Sequence, residues 1–213
     1  MATAIRPIKT IYKGYRFRSR LEARWAVFFD ALGIPFEYEK EGFELPGGLR
    51  YLPDFWLPEQ DCWVEIKGQD PVGVAPEFAK AAALAKVTNK NVYMFIGPIP
   101  EPHNGYLVQN GGSYLSAYSW RSRDFYSRIL YRRFPEDCYI GGELVQQTSP
   151  DEWQCWWREC PGCGLLSIAN SAECCFRDCC GNCHSSAEAS PTTPRLQKAY
   201  VAARSARFEF GEN

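Results

Sequence analysis

Asp54, Glu65 and Lys67 are the residues whose types and spacing can do chemistry together. They lie in Leu52-Pro53-Asp54-Phe55-Trp56-Leu57 and Cys62-Trp63-Val64-Glu65-Ile66-Lys67-Gly68, with ten residues between the two acids. Strand side chains alternate between faces, so Glu65 and Lys67 project from one side while Val64 and Ile66 pack behind them. A buried charge is costly to desolvate without a partner, and Asp54 is the natural group to meet this pair. Two carboxylates converging at a sheet end make a hard, oxygen-rich site of the kind Mg²⁺ or Mn²⁺ takes. An adjacent ammonium suits a reaction in which anionic charge builds up.

These groups need a hairpin and a helix to hold them. Pro58-Glu59-Gln60-Asp61 is the turn between the two site strands, the first of which is read over 50–56. Gly68 lets the chain bend where a phosphate would approach. Upstream, Ser19 stands three residues before Glu22, the capping-box spacing that starts a helix. Leu21, Trp25, Phe28, Phe29 and Leu32 follow at helical spacing, and Gly33 stops it. Glu22 has two readings that can hold at once: it caps its own helix, or, with Asp54 and Glu65 present, it takes a metal-facing or water-orienting role.

Segment 34–39 reads as the first core strand, and Phe43-Glu44-Leu45 as a continuation of that edge. Segment 77–86, rich in alanine, predicts a helix, and the apolar run 91–97 a buried strand. Helix, three antiparallel strands, helix and strand give an α/β core with helices on both faces, the last pairing parallel.

With Pro53-Asp54, Glu65-Ile66-Lys67 and Glu22 on the preceding helix, the chain resembles the PD-(D/E)XK nucleases. The order Arg18-Ser19-x-x-Glu22, then Gly33-Ile34-Pro35-Phe36-Glu37-Tyr38-Glu39, then Tyr51-x-Pro53-Asp54-Phe55 and Glu65-x-Lys67-Gly68 is similar to phage junction-resolving and transposon-end-cleaving endonucleases. The likeness covers roughly residues 12–97. It implies a restriction-endonuclease-like core, a mixed sheet of four to five strands flanked by helices, and a phage or mobile-element origin. It also implies Mg²⁺ (or Mn²⁺) on Asp54, Glu65 and the Ile66 carbonyl, with Glu22 completing or ordering the shell. Lys67 would orient or deprotonate the attacking water, or hold the transition state, during hydrolysis of DNA. A non-catalytic nucleic-acid-binding protein built on such a core is the alternative, and the intact acids argue against it.

The formal net charge is −1, so no global basic signature marks a nucleic-acid partner. Distribution says more: residues 1–29 carry seven lysines and arginines against Glu22 alone. Lys13, Arg16, Arg18 and Arg20 of this stretch are candidate phosphate contacts; a second basic stretch holds Arg121, Arg123, Arg128, Arg132 and Arg133. No apolar run approaches the ~20 residues that span a bilayer, and the first residues lack a signal-peptide core, so no membrane partner and a cytoplasmic location are expected. His103 and His184 lie outside the acidic constellation, and no phosphate-cradling P-loop is present. Cutting two strands is compatible with a homodimer, although nothing in the sequence identifies its interface.

Eight of the ten cysteines fall between 155 and 183, which reads as metal binding before disulfides. Cys160-Pro161-Gly162-Cys163 and Cys180-Gly181-Asn182-Cys183 give C-x₂-C-x₁₆-C-x₂-C, the spacing of a structural four-thiolate zinc site. Cys174, Cys175, Cys179 and His184 crowd the second pair and compete with it. The expected organisation is a nuclease core over 1–100, an added hairpin and basic segment over 101–150, a zinc-binding module over 151–186, and a linker with a C-terminal helix over 187–213. The added hairpin is centred on Asn110-Gly111-Gly112. In the last helix, Leu196, Ala199, Tyr200 and Ala203 form a docking stripe, with Arg195, Lys198 and Arg204 facing solvent.

Overall fold

The computed structural model describes residues 8–68, 75–103, 106–108, 117–120, 155–160, 162–170 and 193–208. The chain opens with strands β1 (Thr10–Tyr12) and β2 (Tyr15–Phe17), paired antiparallel. Lys13 and Gly14 between them have φ of +49° and +81°. A two-residue turn with both central residues at positive φ matches the twist of the strands it joins, so the basic arm is a tight hairpin. Helix α1 (Arg20–Leu32) starts at Ser19, whose Oγ accepts the Glu22 N–H at 3.1 Å, and stops at Gly33, left-handed with φ +70°. Its apolar stripe is fully buried: Trp25, Ala26, Phe28 and Phe29 are all 0% exposed.

Six strands surround the next helix: β3 (Glu37–Tyr38), β4 (Phe43–Leu45), β5 (Leu49–Tyr51), β6 (Phe55–Leu57), β7 (Cys62–Lys67) and, after α2 (Ala75–Thr88), β8 (Asn91–Ile96). Beyond these come β9 (Glu101–His103), β10 (Tyr106–Val108), β11 (Ala117–Trp120), β12 (Cys155–Glu159), β13 (Leu166–Asn170) and α3 (Pro194–Ser205). The central sheet has five strands in the order β11-β8-β7-β6-β3. The pairs β3–β6, β6–β7 and β8–β11 are antiparallel, while β7–β8 is parallel, connected through α2. The fold is therefore mixed α/β.

Alternation along β7 and β8 divides the core. Cys62, Val64, Ile66, Tyr93 and Phe95 pack with α1 and α3; Trp63, Val92, Met94 and Ile96 pack with Ala81, Leu84 and Ala85 of α2. Both strands are covered on both faces, as a parallel pair requires. On the first face Trp25 lies 4.6 Å from Phe95, and Phe28 the same distance from Tyr200 of α3, ring centroid to centroid. Removing one such ring costs about 3–5 kcal/mol.

Three expectations need correction. The segment read as one strand over 50–56 is two: β5 pairs with β4 in a separate hairpin, and β6 joins the central sheet. Pro53 has no N–H for the ladder, and the Asp54 backbone is engaged elsewhere, so the strand breaks between them. Phe43-Glu44-Leu45 accordingly does not extend the sheet edge. Nor do the strands of the central sheet end before residue 100: β11 forms its edge beside β8, while β9 and β10 pair as a separate hairpin and the turn at Asn110-Gly111-Gly112 lies outside the described residues. The basic stretch at 121–133 lies outside the described residues.

The docking stripe of α3 is as expected, with Leu196, Ala199, Tyr200 and Ala203 each 0% exposed and packed in the α1 core. Two of its arginines, however, do more than face solvent. Arg195 Nη2 donates to the Leu32 carbonyl at 2.6 Å, and Arg204 Nη1 to the Ile99 carbonyl at 2.8 Å. No helix among the described residues is long and apolar enough to cross a membrane.

Candidate functional site

The β6–β7 register sets Phe55 opposite Val64 and Leu57 opposite Cys62. Asp54 directly precedes β6, outside the paired residues of the ladder, and its hydrogen bonds bring it beside Glu65 of β7. The Asp54 N–H donates to Glu65 Oε2 at 3.3 Å, and the Ile66 N–H donates to Asp54 Oδ2 at 2.7 Å. Glu65 Oε1 accepts from Lys67 Nζ at 2.6 Å. Asp54, Glu65 and Lys67 thus meet at the C-terminal end of β7. The Lys67 carbonyl accepts the N–H of Gly97, a residue at φ +82°, so the end of β8 is tied in beside them.

Glu22 arrives from the first turn of α1. Its Oε1 accepts from Ser19 Oγ at 2.7 Å, and its Oε2 accepts from the Arg18 N–H at 3.0 Å and the Tyr38 hydroxyl at 2.6 Å. The cap is a variant of the capping box in which the carboxylate reaches the N–H one residue before the N-cap. The capping reading of Glu22 is observed; both its oxygens accept hydrogen bonds from Ser19, Arg18 and Tyr38, and its charge helps raise the Asp54 carboxyl.

The acids are almost sealed from water. Glu22 is 7% exposed, Asp54 2% and Glu65 3%. Burial first, then repulsion from Glu65 and Glu22, holds the Asp54 carboxyl well above the ordinary aspartate range, despite the Ile66 N–H and the Arg18 guanidinium, which act the other way. Burial and its hydrogen bond to Glu22 likewise raise the Tyr38 hydroxyl, which stays protonated and remains a donor.

Two residues that sequence reasoning did not assign complete the surroundings. Tyr38 lies between Phe17, 4.4 Å away by ring centroids, and Phe55, 5.4 Å away, and it links Glu22 to the Arg18 backbone. Glu39 donates its N–H to the Asp54 carbonyl at 2.9 Å, and its carboxylate takes Arg18 Nε at 2.9 Å. The alternation of Phe36 and Tyr38 was the available signal for Tyr38. Nothing local marked Glu39, whose role comes from a positive φ of +47° that turns its side chain back to the site.

The proposed phosphate contacts scatter. Arg16 is exposed on the hairpin, and Arg20 is half-buried at the start of α1. Lys13 pairs with Asp30 at 3.0 Å. Arg18 turns inward, its Nη2 against Asp54 Oδ1 and its Nε against Glu39. Burial would weaken its charge, but Asp54, then Tyr38 and Glu39, outweigh that and keep it a firm cation.

A divalent ion fits the donor chemistry on β6 and β7. Asp54 and Glu65 are buried carboxylates with a third, Glu22, nearby, and Arg18 and Lys67 stand against them as cations. Mg²⁺ is commonly held by only one or two protein carboxylates, with water and phosphate filling its other positions. No group of three or more His, Cys, Asp or Glu side chains that could hold a metal ion is found among the described residues.

At the second candidate metal site, Cys160 and Cys163 sit in the turn joining β12 to β13. The Cys160 N–H donates to the Leu165 carbonyl at 2.9 Å and the Gly164 N–H to the Cys160 carbonyl at 2.8 Å, with Gly164 at φ +72°. Cys160 is buried, Cys163 is exposed, and neither is in a disulfide. Cys180 and Cys183, the other proposed ligands, lie outside the described residues, as do Cys174, Cys175, Cys179 and His184. No protein-family model, curated protein or solved structure matches the chain.

Proposed function

We propose that the chain is a divalent-metal-dependent endonuclease that hydrolyses phosphodiester bonds in DNA, on a restriction-endonuclease-like core. The carrying observation is the hydrogen-bonded contact of Asp54, just before β6, with Glu65 and Ile66 of β7, with Lys67 Nζ 2.6 Å from Glu65. Buried acids with an ammonium beside them are costly to the fold, and a phosphodiesterase site gives them a use.

Asp54 Oδ1, the Glu65 carboxylate and the Ile66 carbonyl would hold Mg²⁺ or Mn²⁺. When bound, the ion polarises the scissile phosphate and lowers the pKa of water. Asp54 is oriented for this by the Ile66 N–H, which fixes Oδ2 and leaves Oδ1 to the Arg18 guanidinium. Lys67, an ammonium paired with Glu65, is placed to hold the negative charge that grows on the phosphate oxygens. Glu22, clamped by Ser19, Arg18 and Tyr38, keeps the helix terminus fixed against the sheet end.

The zinc-binding knuckle at Cys160 and Cys163 has a structural role in this reading. Its strand β12 places Trp157 in the α1 core, with its ring centroid 5.9 Å from that of Phe28. The test of the function is incubation with supercoiled, linear, single-stranded and four-way-junction DNA, each with and without Mg²⁺. Shortened or nicked products that require the ion support the assignment. Mobility shifts with no strand breakage on any substrate would instead indicate a binding protein.

A further inference from the structure

The Arg18 guanidinium lies against both Asp54 and Glu39. Asp54 has two carboxylate oxygens: Oδ2 takes the Ile66 N–H at 2.7 Å, and Oδ1 faces the Arg18 guanidinium. The same guanidinium is held on its other edge by Glu39 Oε1, 2.9 Å from Nε. Its backbone does not move with it, because the Arg18 N–H is fixed by Glu22 Oε2 and the Tyr38 hydroxyl, each at 3.0 Å. The side chain is 51% exposed while Asp54 beneath it is 3% exposed. Arg18 is therefore a half-solvated arm on a rigid base, laid over a buried carboxylate.

We propose that Arg18 is the resting counter-ion of the acidic site, surrendering Asp54 Oδ1 to an arriving divalent ion and then turning, still beside Glu39, toward a phosphate of the bound nucleic acid. This rests on the divalent-ion reading of Asp54 and Glu65. A guanidinium and a divalent cation cannot share one carboxylate oxygen without strong repulsion. Displacement frees the planar fork, which matches two phosphate oxygens better than any other side chain. Glu39 makes the exchange local. Its left-handed backbone keeps a second carboxylate outside the buried pair, at 28% side-chain exposure, so the released cation need not cross open solvent. Before loading, the guanidinium neutralises part of the acidic charge; after loading, the ion takes over that role.

The test is calorimetric titration of the full chain with Mn²⁺, without DNA, for wild type, Arg18→Gln, Arg18→Lys, Lys90→Gln and Asp54→Asn. Near-ultraviolet circular dichroism checks that each variant is folded. Arg18→Gln is expected to bind Mn²⁺ about tenfold more tightly than wild type, because the competing cation is gone. Arg18→Lys keeps the charge but loses the fork that spans Asp54 and Glu39, and about threefold tightening is expected. It serves as the informative variant should Arg18→Gln not fold. Lys90→Gln removes an equal charge from a pair with Asp61 and should leave Mn²⁺ affinity unchanged. With Ca²⁺ in place of Mn²⁺, Arg18→Gln should bind a short DNA duplex several-fold more weakly, a change opposite in sign to its metal affinity.

Unchanged or weaker Mn²⁺ binding in the Arg18 variants, with binding still abolished in Asp54→Asn, overturns the counter-ion role and leaves the metal site standing. Equal tightening in Lys90→Gln also overturns it, by reducing the effect to net charge. Unchanged duplex binding overturns the transfer to phosphate. Mn²⁺ binding that is absent from wild type, or that survives in Asp54→Asn, removes the metal reading itself and this proposal with it.

Discussion

The Tyr38 hydroxyl donates to Glu22 Oε2 at 2.6 Å, joining the second residue of β3 to the first turn of α1 across the mouth of the acidic site. It also accepts the Arg18 N–H, so one phenol orders both Glu22 and the backbone of the residue whose guanidinium faces Asp54. Tyr38→Phe keeps the ring packed on Phe17 and Phe55 and removes only the oxygen. A hydrogen bond to a charged group is worth about 1.5–3 kcal/mol, so stability should fall by that amount in urea unfolding. Cleavage should slow with it as Glu22 loosens. Tyr38→Phe with wild-type stability and wild-type rate would show that the bond orders nothing.

Asp54 makes a pH-dependent prediction. Its carboxyl is held above the ordinary range, by burial first and by Glu65 and Glu22 next, so the folded chain keeps a proton there that the unfolded chain has already lost. Between the unfolded value, about 3.9, and the raised folded value, stability attributable to this group falls as pH rises. Above both, the penalty is complete. Asp54→Asn removes it, and the amide can still accept the Ile66 N–H. The variant should be more stable than wild type by about 1–2 kcal/mol at pH above the folded value, the usual scale of an activity–stability trade-off. The gain should shrink as pH falls and Asp54 takes up its proton. Paired thermal melts at several pH values check this, and a gain that grew toward low pH would contradict it.

Arg195 gives a purely structural prediction. Its guanidinium donates to the Leu32 carbonyl at 2.6 Å and to the Gly164 carbonyl at 3.2 Å, joining α3 to the end of α1 and to the knuckle. A carbonyl in the last turn of a helix has no intrahelical partner. Arg195→Ala should cost about 1–3 kcal/mol and lower the melting temperature by several degrees. No change in melting would mean that water replaces both bonds without loss.

The knuckle makes a fourth. Cys160→Ser should lower zinc content, measured by atomic emission on the purified protein, and reduce stability, because structural zinc contributes folding free energy directly. Asp54→Ala should leave that zinc content unchanged. Full zinc retention in Cys160→Ser would mean that other ligands hold the ion.

Local sequence rules made much of this site legible. Strand alternation put Glu65 and Lys67 on one side, Ser19 and Glu22 marked the start of α1, and Gly33 its end; all of these depend on neighbours within four residues. The break at Pro53 was also written locally, in a residue that cannot donate to a ladder, but alternation on both sides of it hid the split into β5 and β6. Other features depend on contacts across tens of residues. Arg18 looked like a surface base among other bases, and its partners Asp54 and Glu39 are brought to it only when Phe17 packs on Tyr38 and Phe55. Arg195 and Arg204 looked solvent-facing because their acceptors are backbone carbonyls of distant segments, which no side-chain pattern reveals.

The central claim is that Asp54 and Glu65 act as one metal-holding pair in strand cleavage, and it is met most directly by plasmid nicking with purified variants. Supercoiled DNA incubated with wild type should convert to open-circular or linear forms in Mg²⁺ and remain intact in EDTA. Asp54→Ala and Glu65→Gln, each folded and with unchanged zinc, should leave it supercoiled in Mg²⁺. Undiminished Mg²⁺-dependent conversion by either variant would contradict the account.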